Sequence, residues 1–170
     1  MTRLAALLMV FVLANPVFAE TRSAVGGIDH VGLTVTDLAA SERFFVGELG
    51  FEKVGGDAEY PSVFLSNGAI LVTLWRANEP DLAVPFDRKQ NVGLHHLAFA
   101  VASFSALDAL HTRLQHAAGV RIEFAPELLG GGPARHMMIR EPSGNRLEFI
   151  HRPNADGPTV SPTAFPGSES

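Results

Sequence analysis

Two stretches of this chain repeat each other, and that repeat limits the fold more than any other feature. The first is "IDHVGLTVTDLAASERFFVGELGF", starting at Ile28; the second is "LHHLAFAVASFSALDALHTRLQHAAGV", starting at Leu94. Each carries a His, then an alternating apolar run that ends in Val, then a helical pattern. Alternation at period two predicts a half-buried strand. Thr36 or Asp37 is placed to cap the first helix, and Ser103 the second. Leu107, Leu110, Leu114 and Ala117 recur at helical spacing and give the second helix one apolar face. Gly50 and Gly119 fall where the two helices should stop.

Three strand-like runs follow each helix. In the first half they are Phe51–Val54, Ser62–Ser66 and Ile70–Arg76, with a turn at Asn67-Gly68. In the second half they are Arg121–Phe124, Arg135–Arg140 and Arg146–His151, with a turn at Pro142-Ser143-Gly144-Asn145. The expected fold class is therefore α+β, with two βαβββ modules. The polar segment "ANEPDLAVPFDRKQN" between them reads as a linker. Its Arg88 and Lys89 are within reach of an anionic ligand, but a solvated loop is the expected state.

Strand alternation sorts the polar residues by face. His30 goes with Gly32 and Thr34, while Val31, Leu33 and Val35 face the helix. His96 goes with Ala98 and Ala100, and large apolar residues line the other face. His95 is expected at the start of the strand, on the helix side or in the rim. In the last strand Glu148 lies with Arg146 and Ile150, opposite Leu147 and Phe149. His30, His96 and Glu148 are thus expected to converge on one open cavity. Two imidazoles and one carboxylate suit one divalent ion such as Fe, Mn, Ni or Zn, with positions left for water or substrate. The strand "AILVTLWRA" supplies no fourth carboxylate or amide; Thr73 in it is a weak ligand at best, or a hydrogen-bonding neighbour of one.

At these residues the chain resembles the vicinal oxygen chelate superfamily, which includes glyoxalase I, fosfomycin- and bleomycin-resistance proteins and extradiol dioxygenases. The resemblance covers 27–152 and rests on "DHVGLTVTDLAASERFF", "ELGFEKVG", "GLHHLAFAV" and "EPSGNRLEFI". It implies paired βαβββ modules whose curved mixed sheets surround an open metal cavity. It also implies ligands at His30, His96 and Glu148, with Thr73 where glyoxalase I has a Glu or Gln. Where extradiol dioxygenases carry a Tyr, this chain has Met138, and it has no His in or before "LGGGPA". His136, on the same parity as Met138, is not expected to replace that His. His136 and Thr73 are candidates to orient a ligand, and Trp75, with Phe64 and Tyr60, to line a groove. Glu148 is the expected catalytic residue, as ligand or as general base. Gly130–Pro133 is a candidate lip over the cavity.

The implied function is a metal-dependent lyase or isomerase acting on a small-molecule substrate. The alternatives are an Fe(II) dioxygenase-like enzyme and a non-catalytic binding protein. Such modules complete a site within one chain or across a homodimer. With 13 Lys and Arg against 18 Asp and Glu among 170 residues, there is no basic surplus to support nucleic-acid binding. The absence of cysteine excludes disulfides and thiolate ligands. Residues 1–19 have the pattern of a secretory signal peptide, with Arg3, an apolar run from Leu4 to Ala14, and Val17-Phe18-Ala19 before Glu20. A periplasmic or secreted protein is expected, with no membrane attachment after cleavage. Residues 153–170, rich in Pro, Gly and Ser, are expected to be a disordered tail.

Overall fold

A computed structural model of the chain describes residues 27–153. The expected leader, and all but the first residue of the expected tail, lie outside the described residues. The elements run β1 (His30–Val35), α1 (Leu38–Arg43), β2 (Glu52–Asp57), β3 (Ser62–Ser66) and β4 (Leu71–Arg76) in the first half. The second half has β5 (Leu97–Ala100), α2 (Phe104–Leu114), β6 (Arg121–Leu128), β7 (Arg135–Arg140) and β8 (Arg146–His151). Each half forms a four-stranded mixed sheet, ordered β1-β4-β3-β2 and β5-β8-β7-β6. The first strand of each module lies parallel to the last, and the other pairings are antiparallel. This is the expected pair of βαβββ modules. Neither sheet closes on itself.

The helix ends follow the sequence. Asp37 accepts a hydrogen bond from the Ala40 amide, and Ser103 from the Ala106 amide. Gly50 and Gly119 take φ of 73° and 76°, where a side chain is disfavoured. The first helix departs from expectation after Arg43. Residues Phe44–Glu48 form a wider π-type turn, closed by the Leu49 amide on the Phe44 carbonyl. Both Phe44 and Phe45 are buried there, so the widened turn accompanies two consecutive rings in the core. Strands β2 and β6 run further than expected, to Asp57 and Leu128.

One core joins the modules. Phe45 and Phe51 of the first meet Phe99 of the second edge-on, and Phe99 stacks on Phe149 at 5.7 Å. The other seam is polar. Buried Glu141 accepts from Ser41 Oγ at 2.6 Å, and Ser143 Oγ accepts from the Thr36 and Asp37 amides. Asn145 Nδ2 reaches the Thr34 carbonyl. The β7–β8 turn therefore ties the second module to the start of α1. Leu33, Val35, Val72, Leu74, Leu147 and Phe149 fill the core. Their strand neighbours at odd spacing are left to the opposite, open faces, where the candidate site lies.

Candidate metal centre

The ladders put corresponding residues of the two sheets in corresponding places. In the first sheet one row reads Gly32–Thr73–Phe64; in the second it reads Ala98–Glu148–Met138. Thr73 is thus the counterpart of Glu148, and His30 stands two residues before its row as His96 does. The expected face assignments of His30, His96 and Glu148 agree with this register; for the strand of Thr73 and Trp75, where the sequence left either face open, the register puts both on the open face.

Glu148 is the centre of the second face. It is 7% exposed, and each of its oxygens has a histidine neighbour. His136 Nδ1 is 2.5 Å from Oε1, and His96 Nε2 is 3.1 Å from Oε2. His136 itself is buried and packs its ring 5.0 Å from that of Phe124. It therefore fixes one side of the carboxylate, while His96 and Oε2 stand together on the other. Two ligands about 2.1 Å from one ion and about 90° apart are separated by about 3 Å. The His96–Glu148 separation fits that, and an imidazole with a carboxylate is a donor pair that borderline divalent ions accept.

His30 does not join them within one chain. Among the described residues no group of three or more His, Asp or Glu is arranged to hold an ion. His30 is half-exposed at the start of β1, with Nδ1 held 2.6 Å from Asp29 Oδ1. A carboxylate on Nδ1 fixes the ring and leaves Nε2 as the free donor, the usual arrangement behind a metal-bound histidine. His30 thus has one ring nitrogen engaged by Asp29 and does not group with His96 and Glu148 among the described residues.

Three further positions differ from their sequence expectation or sharpen it. His95 is not on the helix side. Because β5 begins only at Leu97, His95 precedes the pleat and turns to the open-face rim, with Nδ1 2.8 Å from His96 Nδ1 and 3.5 Å from an Arg146 Nη. Desolvation, and then the charges of Arg146, His96 and Arg88, hold its pKa below the ordinary histidine value. Thr73 is buried, and its hydroxyl accepts from Trp75 Nε1 at 2.9 Å. That bond folds the indole back along the sheet, against Tyr60 and Phe64. Met138 is buried beside Glu148 in the ladder.

Sequence reading missed Glu123 and Arg140. Glu123 receives Arg140 Nε on one oxygen, at 2.5 Å, and Arg146 Nε on the other, at 2.7 Å. Burial would raise the Glu123 pKa; the hydrogen bonds and charges of Arg146 and Arg140 outweigh it and hold the carboxyl below its ordinary value. Ile122 pairs with Ile139 of the core, so alternation alone turns Glu123 to the open face; the β6–β7 register then shifts between Ile122 and Phe124. What the sequence did not show is that two arginines of neighbouring strands share its carboxylate.

Comparison with known proteins gives the frame for this geometry. The model of the Glyoxalase/Bleomycin resistance protein/Dioxygenase superfamily matches residues 27–149. No curated protein matches. Among solved structures, a glyoxylase/bleomycin resistance protein/dioxygenase domain from Frankia sp. EAN1pec is 26% identical, with TM-score 0.65, covering 78% of this chain and 96% of its own. Lactoylglutathione lyase from Agrobacterium tumefaciens is also 26% identical, with TM-score 0.58, covering 76% and 96%. The fosfomycin resistance protein FosX from Listeria monocytogenes, 18% identical with TM-score 0.60, covers 76% and 96% and shares the fold. With two matched modules, their histidines at one register and a family match over most of its length, the chain belongs to the Glyoxalase/Bleomycin resistance protein/Dioxygenase superfamily.

Proposed function

We propose that this protein is an exported, divalent-metal-dependent lyase or isomerase that acts on a small molecule with two neighbouring oxygens. The observation that carries the reading is the His96–Glu148 pair, at ligand spacing on an open face and backed by His136. His96 and Glu148 would hold the ion with His30, and a second copy of the chain is the source of His30 that suits its half-exposed position. When bound, such an ion (Fe, Mn, Ni or Zn) supplies Lewis-acid stabilisation of a developing oxyanion. The chain's own residues do the rest. His136 keeps Oε1 of Glu148 occupied, so Oε2 is the atom left to bind or to hold a proton. His95 braces the Nδ1 side of His96. The leader pattern at 1–19 supports export to the periplasm or beyond.

The test is metal content by mass spectrometry on purified full-length-derived protein, beside His30→Ala, His96→Ala and Glu148→Ala. Near-stoichiometric metal in the parent and its loss in all three is the expected result. A parent that takes up no divalent ion contradicts the reading and leaves a binding protein, for which the Trp75, Phe64 and Tyr60 surface is the natural groove. One observation favours a second enzymatic reading: two histidines and one carboxylate are also the ligand set of Fe(II) oxygenases. Oxygen uptake with a catechol would mark that outcome; buried, apolar Met138 beside Glu148 offers such chemistry no proton donor.

A further inference from the structure

One cleft lies away from the open faces. It follows the seam between the two modules on the helix side and has a volume of about 340 Å³. Small-molecule sites are of this size and favour boundaries between packed units. Its walls are rings that also belong to the core: Phe51 of the first module, Phe99 and Phe149 of the second. Phe149 takes the opposite side of β8 from Glu148, so the cleft is separate from the His96–Glu148 pair. Protein interiors are normally filled to crystal-like density. Here Ala102, just after β5, and Ala106, on α2, offer only methyl groups to the seam, and the space beside the rings stays open.

The side-chain polar groups of the cleft are donors. Ala106, Leu110 and Arg113 recur at helical spacing on one flank of α2, which brings the Arg113 guanidinium to the cleft. Glu48 is outside the cleft lining, and its Oε2 is 3.9 Å from Arg113 Nε, too far for a hydrogen bond. Glu48 therefore balances the charge of Arg113 but leaves the guanidinium's five N–H donors unfilled among the described residues. Both side chains are partly exposed, and an ion pair of this kind contributes little. From the first module comes Asn67, in the β3–β4 turn. Its Oδ1 accepts from the Ala69 and Ile70 amides at 3.0 Å each, so its Nδ2, a donor, is the uncommitted group. No acidic side chain lines the cleft.

We propose that this cleft is a second ligand site, and that it takes an amphipathic monocarboxylate. The apolar body lies against Phe51, Phe99 and Phe149, and the carboxylate accepts from Arg113 and Asn67. A carboxylate matches the guanidinium fork with two oxygens in one plane. A neutral apolar molecule leaves the donors unfilled, and a small anion leaves the rings uncovered. An alkyl chain and an aryl group both satisfy the walls; the carboxylate with an apolar body is the chemistry they share.

The experiment is calorimetric titration of the protein with octanoate and phenylpropionate, with their alcohols octanol and phenylpropanol, and with acetate. The parent is expected to bind at least one of the two longer acids about tenfold or more tightly than its alcohol and than acetate. The tighter acid identifies the body, alkyl or aryl. Arg113→Gln should bring acid and alcohol to the same affinity. Asn67→Asp keeps an oxygen for the turn amides and puts a negative charge in place of Nδ2, so it should weaken the acid about tenfold and leave the alcohol unchanged. Ala106→Leu fills the cleft and should weaken both acid and alcohol; Arg113→Gln and Asn67→Asp, at partly exposed positions, carry the test if it does not fold. His96→Ala should bind the acid as the parent does, whatever that variant does to metal content, so this test and the metal test fail separately. No binding of either longer acid, acetate binding as tightly as they do, an acid preference that survives Arg113→Gln, or loss of the acid in His96→Ala overturns the proposal.

Discussion

The two open faces are built on one register and carry opposite chemistry. Where the second sheet has Arg146, Glu148 and Ile150 on β8, the first has Leu71, Thr73 and Trp75 on β4. Where β7 has His136 and Met138, β3 has Ser62 and Phe64. The second face is a connected set of charges and imidazoles, from Arg140 through Glu123 and Arg146 to His95, His96, Glu148 and His136. The first is an aromatic surface laid over a buried hydroxyl. The difference teaches that the repeat specifies a backbone and an inner core, while the outer rows are free to diverge. One sheet carries the His96–Glu148 pair with its neighbours, and the other carries His30 and an aromatic surface.

The comparison breaks most readily at Glu123. Glu123→Ala leaves two buried guanidiniums without their shared carboxylate and should cost about 3–5 kcal/mol of stability in urea unfolding. Tyr60→Ala, on the half-exposed aromatic surface, should stay within about 1 kcal/mol. Similar losses at both sites would deny that the two faces differ in kind.

Next in size is Gly32→Val. A Cβ there would meet Thr73 Oγ1 at 3.3 Å and Trp75 Nε1 at 3.5 Å, and the larger side chain must push the indole away. The expected cost is about 1–3 kcal/mol. Trp75 is the chain's single tryptophan, so its emission should shift to the red as the ring gains water. An unchanged spectrum in a folded variant would show that Gly32 does not seat the ring.

Acid adds a directional test. The Glu123 carboxyl is held below its ordinary value in the folded state. The stability this contributes is present above the unfolded-state value near 4.5, and is lost as pH falls through the lowered folded value. Glu123→Gln should flatten that part of the stability–pH curve. The smallest effect is expected for Thr73→Val, which removes the acceptor for Trp75 Nε1 at about 1 kcal/mol; a loss beyond about 3 kcal/mol would mean that Thr73 does more than hold the indole.

The architecture was legible because period-two alternation, the caps at Asp37 and Ser103 and the glycines at 50 and 119 all act locally. Faces could be assigned for the same reason in β1 and β8, Leu33 and Val35 against His30, Leu147 and Phe149 against Glu148; in β4, apolar on both parities, the alternation did not choose between Val72 and Leu74 and the Thr73 and Trp75 set. What was not legible is contact between strands and local irregularity: the sharing of Glu123 by Arg140 and Arg146, and the π-type turn at Phe44–Glu48 in place of a regular helix end. His95 lies at the start of the strand in the rim, one of the two places expected for it. Phe86, in a segment read as a solvated linker, packs under the Arg140 guanidinium. The convergence of His30 with His96 and Glu148 is of another kind. Strand parity says which face a residue takes, and says nothing of which copy of the chain that face meets.

Mixing two variants asks that question directly. His30→Ala and Glu148→Ala copies are each purified, unfolded and refolded together, and the bound metal is measured. If His96 and Glu148 of one copy are completed by His30 of another, each variant alone holds little metal. The mixture should then recover about a quarter of the parent's content, because half the dimers are mixed and each rebuilds one of two sites. No recovery on mixing, or full metal retention by His30→Ala alone, would contradict the shared site.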